Sequence, residues 1–321
     1  MKLSIAIPTY NRAGVLKETL ESILPQMRSG VEIVISDNGS TDDTLESLRA
    51  YPQIRVVGFH INQGIDHNIV NVIKHSLGEY VFLFSDDDIL LPHSLDKILE
   101  EIEETSPEVM CLNHFAFRNN SLCDRLPPFL PGKRKRFECG AAFFKCCGLG
   151  FLSSLVFKRE RALQYLSYVR FGKECAHLEI VSRVALHAKC MCVFMGDVCV
   201  AGRALETPRY NLIYSCIVYP KGVYDALLEE KLLDKRLYSF FIRRLIYKDV
   251  LRILYKLMKA PGYEFAVTKR LLEGEFKDFW FFKILLWLLE KINKNVLYFV
   301  FSKVFSVVSL RRRIKIKSSF R

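Results

Sequence analysis

The chain has no Cys-X-X-Cys pair, no glycine-rich fingerprint after its first predicted strand, and no uncharged apolar run of the about eighteen residues that would suggest a membrane-spanning helix. Each absence removes a class of function. The ten cysteines keep no regular spacing: Cys146 and Cys147 are adjacent, and Cys190 and Cys192 are one residue apart. Such spacing suits neither a zinc ribbon nor a redox motif, so we read the cysteines as reduced, mostly buried thiols. The apolar run Leu3 to Ile7 after Met1-Lys2 stops at Pro8, too short for a signal-peptide core, which predicts a cytoplasmic start. Internal repeats and low-complexity segments are also missing.

What is present is a chain of 321 residues, half of them apolar, with 47 Lys and Arg against 35 Asp and Glu. That length and apolar content allow a sizeable core with two domains, or one domain and an appendage. The net charge of +12 is unevenly placed: the first hundred residues are acid-rich and the basic excess lies after residue 130. The acidic first half and the lack of a basic-aromatic surface motif argue against a nucleic-acid partner.

Short apolar runs alternate with helical patterns over the first ninety residues. Leu3 to Ile7, Val31 to Ser36, Ile54 to Phe59 and Tyr80 to Phe84 read as strands. Helical spacing links Leu16, Leu20, Ile23 and Leu24, and again Ile69, Val72, Ile73 and Leu77. The alternation predicts right-handed βαβ units on one parallel sheet. Polar clusters follow the strands: Pro8-Thr9-Tyr10-Asn11, Asp37-Asn38-Gly39-Ser40, Asn62-Gln63-Gly64 and Asp86-Asp87-Asp88. Ligands of open α/β sheets bind at those carboxyl ends. Further on, a helix is expected over 95–104, strands over 109–117 and at Gly148 to Phe157, and a helix over 180–188, with Lys133-Arg134-Lys135-Arg136 in a loop. A change in composition places the domain boundary near residue 215, giving units of 1–215 and 216–321.

Three consecutive aspartates at a strand end repel one another unless a cation or water neutralises them. A hard divalent ion takes one or two such carboxylates together with phosphate oxygens. A solvated turn with Asp88 capping the next helix accounts for the triplet equally well when it is taken alone.

The ordered segments IAIPTYNRAGVLKETLESIL, VEIVISDNGSTDDT and NQGIDHNIVNVIKHSLGEYVFLFSDDDILLP resemble the N-terminal half of family 2 glycosyltransferases with the GT-A fold. The resemblance covers residues 1 to about 105 and, more loosely, 140 to 190. It is most similar to the subgroup containing abequosyltransferases and other bacterial surface-polysaccharide transferases. It implies a GT-A, Rossmann-like, mostly parallel sheet with a C-terminal helical extension. It also implies transfer from a nucleotide-sugar donor to a lipid-linked or oligosaccharide acceptor, inverting and dependent on Mg²⁺ or Mn²⁺. By this resemblance Pro8, Thr9, Tyr10 and Asn11 contact base and ribose, and Asp37 binds the base. Gly64 lets the backbone approach the donor, Asp86 lies near the ribose, and Asp87 and Asp88 hold the metal.

Two departures qualify it. His67-Asn68 stands where many members carry Arg-Asn, which makes a phosphate contact weaker or pH-dependent. The Glu-Asp pair that many relatives place six residues before an arginine is absent: counting back from Arg183 reaches His177, preceded by Ala176. His177, and as an alternative Glu179, is therefore expected to serve as general base. A catalytically inactive nucleotide-sugar-binding relative and a nucleotidyltransferase remain as alternatives, although the latter is expected to show a Gly-rich, lysine-containing loop.

The last third reads as basic amphipathic helix. Over 234–259, Leu237, Phe240, Phe241, Leu245, Val250, Leu251 and Leu254 share a side opposite Arg and Lys. Apolar runs at 279–289 and 296–310 are interrupted by lysines, and the tail carries Arg311-Arg312-Arg313. This predicts a peripheral contact with the inner face of the cytoplasmic membrane, with a packed helical subdomain as the alternative.

Overall fold

A computed structural model of the chain describes residues 1–118, 121–130, 132–187, 191–204, 211–251, 253–254 and 265–279, together with isolated positions up to 291. By contact density it divides into two units: residues 1–209 with 225–237, and residues 210–224 with 238–321.

The first unit is built on a sheet of ten strands. β1 (Leu3–Thr9), β2 (Val31–Asn38), β3 (Arg55–Phe59) and β4 (Tyr80–Leu83) form its first half, in the order β3-β2-β1-β4. All three of these pairings are parallel. Each parallel return needs a crossover, and three helices supply them: α1 (Ala13–Ile23), α2 (Thr44–Leu48) and α3 (Ile65–His75). Every residue of β1 is buried, as expected for a central strand covered on both faces.

The second half of the sheet is mixed, as a mostly parallel sheet allows. After β5 (Ile89–Leu90) and α4 (Ser94–Thr105) come β6 (Val109–Arg118), β7 (Ser121–Arg125) and β8 (Lys135–Phe137). α5 (Gly140–Cys147), β9 (Leu155–Lys158), α6 (Arg159–Leu163), α7 (Ala176–Leu186) and β10 (Cys192–Arg203) complete the unit. β9 runs antiparallel to both β4 and β6, so the sheet is mixed. β10 then pairs parallel with β6 and antiparallel with β5, which folds the far edge back toward the loop after β4.

The basic run at 133–136 is no loop throughout. Lys135 and Arg136 belong to β8 against β10, while Arg134 pairs with Glu101 and Glu104 and Arg136 with Glu104 of α4.

The alternation of β1 sends Leu3, Ile5 and Ile7 to one face, where they join Leu16, Leu20 and Ile23 of α1 and Leu95, Ile98 and Ile102 of α4 in one apolar cluster. Each of those fully buried side chains contributes about 2 kcal/mol. α3 and α7 pack on each other and on strands of the same sheet. The nine described cysteines are free thiols, five of them buried, in keeping with thiols used for packing.

In the second unit Phe241, Ile242, Leu245, Ile246, Val250, Ile253 and Leu254 are buried, and the rings of Tyr224 and Phe241 stack 5.0 Å apart. Of the apolar side expected over 234–259, Phe241, Leu245, Val250 and Leu254 are thus buried, and Leu237, Phe240 and Leu251 are half-buried. Among the described residues no helix is long and apolar enough to cross a membrane. The run at 296–310 and the arginine tail lie outside the described residues.

Candidate active site at the strand ends

The four polar clusters meet at the carboxyl ends of β1, β2 and β4. Thr9, the last residue of β1, donates its hydroxyl to Asp86 Oδ2 at 2.8 Å. Its carbonyl accepts the Asn68 side-chain amide at 3.1 Å, and Asn68 Oδ1 is buried with no partner. Asn11 takes a left-handed backbone conformation, φ 52°, and locks onto the neighbouring turn. Its N–H donates to Ser40 Oγ at 2.8 Å, and its Oδ1 accepts the Thr41 N–H at 2.8 Å. Tyr10 is left with 38% of its surface exposed beside this turn, and Pro8 lies buried inside β1.

Asp37 is buried, and its carboxylate organises the loop after β2. Oδ2 accepts the N–H groups of Gly39 and Ser40 at 3.1 and 2.9 Å, and Oδ1 accepts the Ser40 hydroxyl at 2.5 Å. Gly64 opens α3 at φ 88°, ψ 159°, a region open in practice only to glycine, and a Cβ there would meet no atom within 4 Å. Its backbone therefore borders open space.

The aspartates have three different settings. Asp86 accepts from Thr9 and lies 3.7 Å from Arg12 Nε. Asp87 Oδ1 accepts the Ser85 hydroxyl at 2.7 Å, while Oδ2 stands 3.8 Å from the Arg12 guanidinium. Asp88 Oδ2 accepts the Ser153 hydroxyl at 2.5 Å and Oδ1 accepts the Arg203 N–H at 2.8 Å. Its own carbonyl takes the Thr19 hydroxyl of α1 at 3.0 Å.

Burial first, then the charge of Asp87, pushes the Asp86 carboxyl up to about 7 against the pull of Arg12 and Thr9. The same two causes, in the same order, push Asp88 upward. Among the described residues no group of three or more His, Cys, Asp or Glu is arranged to hold a metal. The donor chemistry nevertheless fits a hard divalent cation: adjacent carboxylates at a strand end, which resist charging together unless a cation is near. Asp87 is the member with an oxygen farthest from any donor.

His177 is the second residue of α7 and its Nδ1 is buried with no hydrogen-bond partner. Burial lowers the affinity of the ring for a proton, partly offset by the Gly150 backbone and the Asp66 carboxylate. Glu179 is 1% exposed and already engaged: Arg170 donates to both of its oxygens, from Nε at 2.8 Å and from its N–H at 3.2 Å. Arg183, six residues after His177, is fully buried, donates to the Glu179 carbonyl and makes a two-pronged pair with Glu230. His67 lies flat on Phe171, ring centres 3.8 Å apart.

Sequence reasoning did not single out Arg12, Ser153, Arg203 or Asp66. Arg12 directly follows the Pro8 to Asn11 motif, which is a local signal for it; Ser153 and Arg203 reach Asp88 from 65 and 115 residues away, with no local signal.

Comparison with known proteins finds similarity to a described family over part of the chain. The family described as Glycosyl transferase family 2 matches residues 4–158. The chain is 28% identical over 184 residues to an abequosyltransferase of Salmonella typhimurium, covering 50% of this chain and 54% of that protein. It is 34% identical over 119 residues to an uncharacterized glycosyltransferase of Nostoc, covering 36% of each. A third relative is the Campylobacter jejuni GalNAc(5)-diNAcBac-PP-undecaprenol beta-1,3-glucosyltransferase, at 32% over 108 residues, covering 32% of this chain and 35% of that protein. The matches thus span about half the length of these relatives or less. In three dimensions the chain is similar to S. aureus TarS 1–349 crystallised with UDP-GlcNAc. The TM-score is 0.60 at 19% identity, over 77% of this chain and 72% of that one, and the shared fold is of the GT-A type.

Proposed function

With residues 4–158 matching glycosyl transferase family 2, we propose that the chain moves a sugar from a nucleotide-sugar donor to a lipid-linked or oligosaccharide acceptor in bacterial surface-glycan assembly. The observation that carries the reading is the convergence of Thr9, Arg12, Asp86 and Asp87 at the ends of β1 and β4. Pro8 to Asn11 and Asp37 line the nucleotide end of the crevice, and Gly64 with Asn68 borders the donor. Asp87 and, beside it, Asp88 would hold Mg²⁺ or Mn²⁺, which when bound would supply positive charge against the departing nucleoside diphosphate.

Transfer is inverting in this reading. The acceptor hydroxyl gives its proton to the His177 imidazole while its oxygen bonds to the anomeric carbon and the bond to the diphosphate breaks. The unpartnered Nδ1 and the lowered proton affinity of the ring both suit a neutral, accepting base at pH 7. The pairing of Glu179 with Arg170 favours His177 over Glu179.

The departure from the usual Glu-Asp pair favours one second reading, a nucleotide-sugar-binding protein without transfer. Thermal-shift titration with nucleoside diphosphates, with and without Mn²⁺, identifies the base and the metal. Turnover with a panel of nucleotide sugars then separates the readings: product formation supports transfer, and binding without product overturns it. Contact of the second unit with the inner membrane surface is part of the proposal, and unchanged membrane fractionation after deletion of 277–321 would sink it.

A further inference from the structure

Asp66 lies in the first turn of α3 and is 2% exposed, yet it belongs to none of the clusters that face the crevice. Its carboxylate is spent on another part of the chain. Oδ2 accepts the N–H groups of Lys173 and Glu174, each at 2.9 Å, and Oδ1 accepts that of Ala176 at 3.0 Å. Those amides lead into and open α7. A helix start leaves four N–H groups without partners, and the residue before α7, Cys175, supplies no side-chain cap. Asp66 provides that cap from a different element, with a negative charge at the positive end of the helix dipole.

The capped segment is costly to form. Glu174 sits at φ 54° and Gly172 at φ 78°, and a non-glycine residue in the left-handed region persists only where its surroundings enforce it. The next residue of α3 adds a second hold, since His67 stacks on Phe171. The residue after that points back to the crevice, where Asn68 grips the Thr9 carbonyl, and Thr9 in turn grips Asp86. Three successive residues of one helical turn therefore join the acidic strand end to the segment that carries His177.

We propose that Asp66 is a positioning residue: through the amides of Lys173, Glu174 and Ala176 it sets the start of α7, and with it the His177 imidazole, relative to the donor crevice. This rests on the reading of His177 as the proton acceptor. Since Asp66 reaches neither the donor side chains nor the acidic cluster, it acts on the chemical step and leaves donor affinity alone. Misplacing a reacting group by about 1 Å costs on the order of 10²-fold in rate.

The test uses the full chain with Asp66→Ala and Asp66→Asn. In Asp66→Ala, kcat falls by about 10²-fold with the donor KM little changed, and the amides of residues 173–176 exchange faster with deuterium. Asp66→Asn keeps an acceptor oxygen, recovers part of the rate, and moves the acid limb of the kcat profile to lower pH because the charge that favours His177 protonation is gone. In a His177→Ala background the Asp66→Ala change costs little further rate. An unchanged kcat in Asp66→Ala, or equal losses in both backgrounds, overturns the positioning role while leaving transfer intact. A wild-type chain without turnover on any nucleotide sugar overturns the transfer reading and the role together.

Discussion

The guanidinium of Arg12 stands 3.7 Å from the carboxylate of Asp86, close enough for attraction but beyond hydrogen-bond length. The same group is 3.8 Å from Asp87. A cation held loosely between two buried carboxylates is free to turn toward a diphosphate. Arg12→Ala is expected to weaken nucleoside-diphosphate binding about tenfold, since a charge-assisted pair contributes about 1.5 kcal/mol. Isothermal titration with and without Mn²⁺ measures it, and unchanged affinity removes Arg12 from the donor site.

Asp86 predicts a dependence of stability on pH. Its folded value of about 7 lies above the ordinary 3.8, so the folded chain holds its proton more tightly than the unfolded chain. The stability this gives is full at low pH and is lost as pH rises through about 7. Other carboxylates act oppositely, such as Glu32, whose bonds from Ser4 and Arg55 outweigh its burial and hold it low. The contribution is therefore read as a difference. Between about pH 5 and pH 7 the melting temperature of Asp86→Asn should rise relative to wild type, in chelator, and added Mn²⁺ should narrow the gap.

His177 and Glu179 separate by assay. His177→Ala should lower kcat by about two orders of magnitude, with a smaller loss of stability than Glu179→Ala. Because burial lowers its proton affinity, wild-type kcat should be flat at neutral pH and decline only below the ordinary histidine value of 6.5. Glu179→Ala strands the buried Arg183 on one side and should cost about 3 kcal/mol in urea unfolding. Equal stability losses in both variants would contradict this division.

Gly202 offers a steric test. A Cβ there would lie 2.8 Å from the Phe151 ring, beside Asp88. Gly202→Ala should push that ring aside and loosen the Ser153 and Asp88 contact, with a loss of about 1–3 kcal/mol and weaker metal-stimulated turnover. A variant of full activity and stability would show that Phe151 yields without consequence.

The first half of the sheet was legible because its strands are apolar β-branched runs stopped by turn residues, and its site residues stand next to those stops. β10 was not, since Gly196 and Asp197 interrupt it and its register against β6 shifts twice near Val198. α7 begins at Ala176, earlier than its apolar spacing suggests, because its cap comes from Asp66 and leaves no local mark. Pairing and burial likewise favour His177 over Glu179 in the proposed role, where their identities alone do not.

The tie between Asp88 and Arg203 has a consequence for biosynthesis. The N-terminal βαβ units emerge from the ribosome first, carrying three aspartates on an open strand end. The backbone partner of Asp88 is synthesised 115 residues later, as the last residue of β10. A nascent chain arrested before residue 203 should therefore hold a folded sheet edge with an unsealed acidic loop, and the crevice at the strand ends matures only when translation of the first unit is nearly complete.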